Sequence, residues 1–472
     1  MKMKNFDIAV LGSGPGGYVS AIRAAQLGAS VVIVENENVG GVCLNWGCIP
    51  TKTLIHSADV FSSAREAAEF GVSIDGDVTV DWPQMTKRKD KVVGTLSKGV
   101  GSLLKSNGVT VLEGTAKLVQ RGMIEVADES GETQQIRAAK TIIATGGKPV
   151  WPGFLPPQSP RMMTSRGALT MGALPSSILI LGGGIIGCEW ACMFARLGVS
   201  VTVVEMLPSI LPQQDKETAR IVAQSMKKLG IDLRTNSRMN SVEDTGNGVK
   251  AAVGDDTIEA DCMLVSVGRT ARTDGLHPEN VGLELDESGC IPVDERCATV
   301  VPGIYAIGDV TGGIQLAHRA SAMGICAAEN AVGKRSRHDD SLVPSCIFTT
   351  PEIGAIGLTD EQAEKRGHTV RSGKFPFQAL GKALAIGETS GFCKIVADAD
   401  TDQVLGVHIV GPHATDLISE AAAAMTLEIT AEELGRVIHP HPTLSESIME
   451  SAHAVHGACI HAPPPRSNRK RS

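Results

Sequence analysis

Residues 8–35 and 178–205 align without a gap, 170 positions apart. Each copy is a short apolar run, a Gly-x-Gly-x-x-Gly turn, a helical pattern closed by glycine, a second apolar run and an acid. Gly12, Gly14, Gly17 and Gly28 of the first copy match Gly182, Gly184, Gly187 and Gly198 of the second, and Glu35 matches Glu205. A strand, a tight turn, a helix and a second strand make a parallel crossover unit. In such a unit the first glycine allows the turn, the second lets backbone approach a pyrophosphate, and the third lets helix pack on strand. The phosphates rest on the helix N-terminus. Both copies keep every glycine and the acid, which predicts two bound dinucleotides. Glu205 selects a free ribose 2′-hydroxyl, so the second ligand is expected to be NAD rather than NADP. No Arg or Lys stands between Glu205 and Asp215 to receive a 2′-phosphate.

The two copies continue alike. Asn107 to Thr145 alternates short strands and turns and closes on KTIIATGG; Leu229 to Arg269 does the same and closes on CMLVSVGR. The predicted fold class is α/β: two Rossmann-like domains, each with an inserted β-meander, followed by a C-terminal α+β dimerisation domain. Asn107-Gly108, Ser130-Gly131 and Gly254-Asp255 read as hairpin turns. The expected divisions are 1–150, 151–275, 276–345, 346–460 and a Pro-rich basic tail, 461–472, with nothing to bury and hence disordered. A length of 472 residues accommodates that many cores. The net charge of −8 argues against a nucleic-acid surface as the main activity. No apolar run approaches membrane-spanning length. The start, MKMKNFDIAVLG, has no apolar signal region or cleavage site, which predicts a cytoplasmic protein.

Between the first unit and a mainly helical stretch, interrupted near Gly71 to Pro83, lies GGVCLNWGCIPTK, residues 40–52. Cys43 and Cys48 are five apart among small residues. If Cys48 opens a helix, Cys43 falls just before or within the first turn and the sulfurs meet. A thiolate at a helix N-terminus near Lys52 has a lowered pKa and is a usable nucleophile. The alternative is two buried cysteines in a glycine-rich loop. Eleven cysteines are too few for a disulfide scaffold here, and Cys188, Cys192, Cys262 and Cys326 lie in apolar segments as reduced core residues. One special pair among them points to catalytic redox use.

Three further places draw attention. Glu189 puts a charge on the first turn of the second glycine-rich helix, where the first copy has Val19, and needs a partner such as Lys52, unless it only complements the helix dipole. Asp309 ends a strand read over Gly303 to Ile307 and suits an acid contacting a polyol, or else is a turn residue. His439-Pro-His441-Pro-Thr-Leu-Ser-Glu446 is a stiff loop leading into a helix from about Leu444. His441 and Glu446 form either a base and its orienting acid or a loop histidine beside a Thr443/Glu446 capping box.

Taken together, GSGPGG, GGVCLNWGCIPTK, IIATGG, GGGIIGCE, VSVGR, YAIGDV with LAHRA, and HPHPTLSE resemble the flavin-dependent pyridine nucleotide–disulfide oxidoreductases, over nearly the whole chain. Among these, the closest resemblance is to members that reoxidise protein-bound dihydrolipoyl groups. The resemblance implies FAD on the first unit and NAD on the second. It implies that Cys43 and Cys48 form the redox disulfide, Cys43 exchanging with substrate and Cys48 facing the flavin. It places Lys52 and Glu189 as a pair near the flavin, Asp309 on the ribityl chain with Ala317 and His318 beyond, and Gly114, Thr145, Gly146 and Gly268 at the cofactors. It assigns His441 and Glu446 to the disulfide of a partner subunit, so a homodimer is expected. The partner would be a lipoyl-bearing acyltransferase or carrier protein, with neither nucleic acid nor membrane involved and no metal.

Ala271-Arg272 stand where Pro-Asn is frequent in that family, Met323 where an acid is, Pro440 where Ala is, and Trp46 where a small aliphatic residue is; none removes a catalytic group. Two rival functions remain. A glutathione-type reductase shares the cysteine spacing but prefers NADPH, against which Glu205 speaks. A non-catalytic flavoprotein sensor would bind flavin and turn over no dithiol. A mercuric-type reductase would carry a vicinal cysteine pair near the C-terminus, where Cys459 stands alone.

Overall fold

The structure is a computed structural model and describes residues 4–463. The expected disorder of 461–472 falls largely outside the described residues. The chain divides into two compact units, Met1–Leu174 with Val265–Asp340, and Pro175–Leu264 with Ser341–Ser472.

In the first unit a parallel sheet runs in the order Thr110–Glu113, Val31–Glu35, Lys4–Leu11, Thr133–Ile143 and Ile304–Ala306. Val10 pairs with Ile33 on one side and Ile142 on the other, and Ile142 pairs with Tyr305. These central strands are covered on both faces, which is why FDIAVL and VVIVE are apolar at nearly every position instead of alternating. The strand order reverses at Lys4–Leu11, so the crevice beyond Leu11 is where a dinucleotide is expected. Thr133–Ile143 is long enough to join a parallel and an antiparallel part of one sheet. Its end joins the parallel sheet, while its start pairs antiparallel with Met123–Ala127, which pairs with Thr115–Gln120. That is the inserted meander.

Three expectations change in detail. Asn107-Gly108 does not turn a hairpin: Asn107 ends the helix Trp82–Ser106 and Gly108, at φ +72°, leads into the strand Thr110–Glu113. An Asn-Gly pair satisfies a helix C-terminus as readily as a hairpin, because both need a left-handed residue. The hairpin over the first meander is at Arg121-Gly122 instead. Asp309 does not end a strand; the strand is Ile304–Ala306 and Asp309 lies in a 3-10 turn, Gly308–Thr311. Glu189 is the fifth residue of the helix Ile185–Arg196, one turn beyond its start.

The second unit repeats the design with the strand order Asp232–Arg234, Ser200–Val204, Ser177–Leu181, Cys262–Val265 and a meander Met239–Asp244, Val249–Val253, Asp256–Ala260. Its remainder is an antiparallel sheet, Ser345–Ile347, Glu352–Gly357, Val404–Gly411, Phe392–Asp398 and Val370–Pro376 in that order. Two helices lie on it, Ala414–Thr426 and Glu446–Val455, each admitted by a glycine. A Cβ on Gly354 would stand 2.1 Å from Ala414 O, and one on Gly373 2.2 Å from Ser451 O. Phe375, Phe377, Ile395, Ile409, Ile418 and Ile448 form the core between them.

Candidate active site

The first glycine-rich turn is shaped by close approach. Gly12 has φ +102°, and a Cβ there would stand 2.4 Å from Ala144 O; a Cβ on Gly17 would stand 1.9 Å from Gly12 O. Gly14 differs: nothing lies within 4 Å of where its Cβ would be, and the same holds for Gly184 in the second copy. The middle glycine of each motif therefore borders open space at a helix N-terminus, as a pyrophosphate requires. The third glycine of the second copy, Gly187, is buried, and Gly182 repeats the positive φ of Gly12 at +106°.

The two acids are braced alike. Glu35 takes Ser13 N (2.9 Å) and Ser13 Oγ (2.6 Å) on Oε2 and Glu37 N (2.9 Å) on Oε1. Glu205 takes Gly183 N on Oε2 and Leu207 N on Oε1, each at 2.7 Å. Each acid thus stiffens its own turn as well as facing the nucleotide position.

Across the crevice stands Thr145, whose buried hydroxyl has no hydrogen-bond partner among the described residues. A buried hydroxyl left unpaired costs about 1–3 kcal/mol, so this one fits a polar ligand group. Gly146 follows at φ +73°. Gly114 has φ +143° and donates its N–H to Glu35 O at 2.8 Å. Asp309 sits against Gly147, whose Cβ would come within 3.1 Å of Asp309 Oδ2, and 3.4 Å from Arg269 Nη2. Arg269 also donates to Gly147 O at 2.6 Å. Beside it, Gly268 accepts from Val150 N at 3.0 Å. The helix Ala317–Ala331, which carries Ala317 and His318 at its start, has no side-chain cap. It packs on the helix Pro15–Gln26 so tightly that a Cβ on Gly324 would stand 2.6 Å from Gly16 O. These features together fit a bound dinucleotide.

The dithiol is clamped to that turn. Gly40 donates to Ser13 O (3.2 Å) and Ser13 Oγ (3.1 Å). A Cβ on Gly41, at φ +60°, would stand 2.6 Å from Gly14 Cα. Cys43 lies in a short helix, Gly41–Trp46, and Cys48 opens the next, Cys48–Glu66, with Gly47 between. Cys43 is therefore in a helix of its own rather than in the first turn of the second. The two side chains share a hydrogen bond, which with burial raises the Cys43 pKa, while the charge of Lys52 works to lower it. Both are half-buried thiols, not joined in a disulfide in this structure.

In the second unit Glu189 is buried and its Oε1 accepts from Phe348 N at 3.0 Å. His441 Nδ1 lies 2.9 Å from Glu446 Oε1, and Glu446 Oε2 accepts from Thr443 N at 2.9 Å. The orienting acid and half of the capping box are thus both present on one carboxylate. Burial pushes the Glu446 pKa up, but the bonds from Thr443 N and His441 outweigh it and the net shift is downward. The His441 side chain is 76% exposed, which leaves Nε2 open to an incoming proton donor.

Several supporting residues carry no sequence signal. Asn45 Nδ2 lies 2.9 Å from Gly41 O and also within reach of Asn38 O and Val39 O, closing the loop before the dithiol. Arg166 stacks over Trp46 at 4.2 Å and pairs with Glu37 at 3.0 Å. Lys394, 5% exposed, is held by Asp215 (2.5 Å) and Asp360 (2.8 Å). The family departures are accommodated. Ala271 and Met323 are core residues, and Arg272 N donates to Gly146 O at 2.9 Å.

Comparison with known proteins agrees with this arrangement. Residues 6–324 match the pyridine nucleotide–disulphide oxidoreductase family and residues 343–452 its dimerisation domain. A dihydrolipoyl dehydrogenase of Bacillus subtilis is 45% identical, the match covering 97% of this chain and 99% of the relative. One from Thermus scotoductus is 43% identical, with 97% and 99% covered. Among solved structures, LpdA from Mycobacterium tuberculosis superposes with a TM-score of 0.90 at 31% identity, covering 96% of this chain and 99% of that one. The HOCl-induced flavoprotein disulfide reductase RclA from Escherichia coli gives 0.85 at 30%, covering 94% and 99%. Two glycine-rich cradles, a dithiol loop clamped to the first, and these full-length matches place the chain in the pyridine nucleotide–disulphide oxidoreductase family.

Proposed function

We propose that the protein reoxidises protein-bound dihydrolipoyl groups, passing electrons through a Cys43–Cys48 disulfide and FAD to NAD⁺. The observation that carries this reading is the hydrogen-bonded Cys43/Cys48 pair on a loop clamped to Gly14 and Ser13. The full-length likeness to dihydrolipoyl dehydrogenases selects the substrate.

His441, held by Glu446, takes the proton of one substrate thiol. The thiolate attacks Cys43 Sγ, the Cys43–Cys48 bond breaks, and Cys48 leaves as a thiolate. The second substrate thiol then displaces Cys43, closing the substrate disulfide and leaving both enzyme cysteines reduced. FAD held on the first glycine-rich turn, at Gly12, Gly14 and Glu35, would supply the two-electron acceptor for the reduced dithiol and the hydride donor for NAD⁺. Lys52 holds positive charge beside the dithiol, where it favours the Cys43 thiolate. Glu35 and Glu205 orient the two riboses, with Gly12, Gly14, Gly17, Gly182, Gly184 and Gly187 admitting the phosphates.

The protein acts as a homodimer in which the His441–Glu446 pair of one subunit serves the disulfide of the other. Supporting this, Ile438, next to the histidine loop, is 94% exposed, and Leu427, Leu384 and Ile460 are likewise exposed apolar side chains. Such side chains need cover. The partner in reaction is a lipoyl-bearing acyltransferase or carrier protein, and the setting is the cytoplasm. Among the described residues no helix is long and apolar enough to cross a membrane.

The test is turnover of dihydrolipoamide with NAD⁺ and, in parallel, NADP⁺, alongside the visible spectrum. A yellow protein that reduces NAD⁺ and ignores NADP⁺ is expected. A yellow protein inactive with dihydrolipoamide overturns the substrate, and activity with glutathione disulfide and NADPH would identify the rival reductase.

A further inference from the structure

A second thiol pair lies away from the dithiol loop. Cys297 precedes the strand Ile304–Ala306, and Cys326 is on the helix Ala317–Ala331. Both are buried, at 1% and 3% exposed, and Cys326 Sγ lies 3.8 Å from Glu295 O, two residues before Cys297. Cys297 Sγ also lies 3.6 Å from Met323 O, one turn before Cys326 on the same helix.

The backbone ties the two cysteine-bearing segments together. Cys297 has φ +60°, a conformation that non-glycine residues rarely adopt. It is kept there by Cys297 N to Asp294 O (2.9 Å) and Ala306 N to Cys297 O (3.1 Å). The Asp294 side chain accepts from Arg296 N and Ala298 N, each at 2.9 Å, and closes the same turn. On the other side, Asn330 Nδ2 lies 3.4 Å from Cys326 Sγ, 3.2 Å from Arg296 O and 2.8 Å from Ser336 O. One amide thus ties the Cys297 turn, the helix and the Cys326 sulfur together.

We propose that Cys297 and Cys326 are a second oxidisable dithiol, Cys326 reacting with a peroxide and Cys297 resolving the product to an intrachain disulfide. The Cys326 thiolate attacks a peroxide oxygen, the O–O bond breaks, and sulfenic acid and hydroxide form. The Cys297 thiol then attacks the sulfenic sulfur, an S–S bond forms and water leaves. In sum two thiols lose two electrons and two protons, and hydrogen peroxide becomes two waters. Hydrogen bonding distinguishes the roles. The bond from Cys297, with others from Ser336 and Asn330, brings the Cys326 thiol down to about 7, while the same contact and burial raise Cys297. The lower member is the nucleophile and the other keeps its proton until the sulfenate forms. The bridge would close a loop containing Asp309 and Ala317, so it would tether the segment that borders the cofactor cradle.

Trypsin separates this pair from the catalytic one. Cys297 falls on the peptide 297–319 and Cys326 on 320–334, whereas Cys43 and Cys48 share the peptide 24–52. The purified holoenzyme is treated with hydrogen peroxide, denatured in excess N-ethylmaleimide, digested without reductant and mapped by mass spectrometry. The expected product is 297–319 joined to 320–334, at the summed mass less two hydrogens, growing with peroxide and lost on dithiothreitol. In Cys297→Ser the joined peptide is absent and Cys326 instead forms a dimedone adduct that wild type shows only weakly. The proposal is overturned if both wild-type peptides carry N-ethylmaleimide at peroxide levels that form the dimedone adduct in Cys297→Ser. It is equally overturned if Cys326 in wild type ends as sulfinate beside an unmodified Cys297, or if Cys326 of the variant stays unreacted.

Discussion

His441 Nδ1 stands 2.9 Å from one oxygen of Glu446 while the other oxygen takes Thr443 N at the same distance. The carboxylate is fixed by backbone before it orients the imidazole, so the ring's Nδ1–H tautomer is set and Nε2 faces outward. General-base catalysis of this kind is worth about 10²–10⁴-fold, and His441→Gln should lower kcat by that order with flavin content unchanged. Glu446→Gln keeps an acceptor for Nδ1–H but removes the charge that stabilises the protonated ring. Its kcat should therefore also fall, by less than that of His441→Gln. Steady-state kinetics check both, and an unchanged kcat in Glu446→Gln would mean that the acid serves only the backbone.

Gly41 packs the dithiol loop directly on the phosphate turn. Gly41→Ala would force a side chain into φ +60° and to 2.6 Å from Gly14 Cα. The left-handed conformation alone costs about 1–2 kcal/mol, and the overlap must also be relieved by moving one loop off the other. The expected result is a protein with reduced flavin occupancy and lower turnover. The ratio of visible to ultraviolet absorbance after purification measures it.

Lys394 is buried between Asp215 and Asp360, residues 179 and 34 positions away in sequence. Removing one partner of a buried ion pair leaves charge unpaired and costs about 3–5 kcal/mol. Lys394→Met should lower the urea midpoint accordingly, and adding Asp215→Asn should recover part of the loss. A Lys394→Met protein with an unchanged midpoint would show that the cluster is solvated.

His439 Nε2 lies 2.6 Å from Glu420 Oε1 and its Nδ1 lies 2.9 Å from Val437 O. Both ring nitrogens face acceptors, and the bond to Glu420 raises the His439 pKa despite burial. A raised folded-state pKa contributes stability that is fully present below the ordinary histidine value, about 6.5, and is lost as pH rises through the folded value. Glu420→Gln should therefore be less stable than wild type at pH 5.5–6, with the gap closing toward alkaline pH. Denaturation midpoints at several pH values, with the His439 Cε1–H resonance followed by NMR, give the comparison.

What could be read along the chain were groups that act on near neighbours. Gly12, Gly14 and Gly17 need only their own turn, Glu35 and Glu205 each close on backbone 22 residues upstream within one crossover unit, and Glu446 meets His441 five residues away. Their spacing is the geometry, so α/β class, two nucleotide cradles, the dithiol and the histidine–acid pair were all legible. Asn107-Gly108 was misread because one left-handed pair serves two kinds of turn, and only the sheet around it decides which. Asn45, Arg269, Lys394 and the Cys297–Cys326 pair were not legible for a different reason. An amide, a guanidinium or an ammonium has no preferred sequence distance to its partner, and two core cysteines 29 residues apart look like any others. Local conformation follows from side-chain sterics and hydrogen bonding within a few residues. Which distant groups share a buried space is decided only when strands pair and helices pack, because burial is what makes their pairing obligatory.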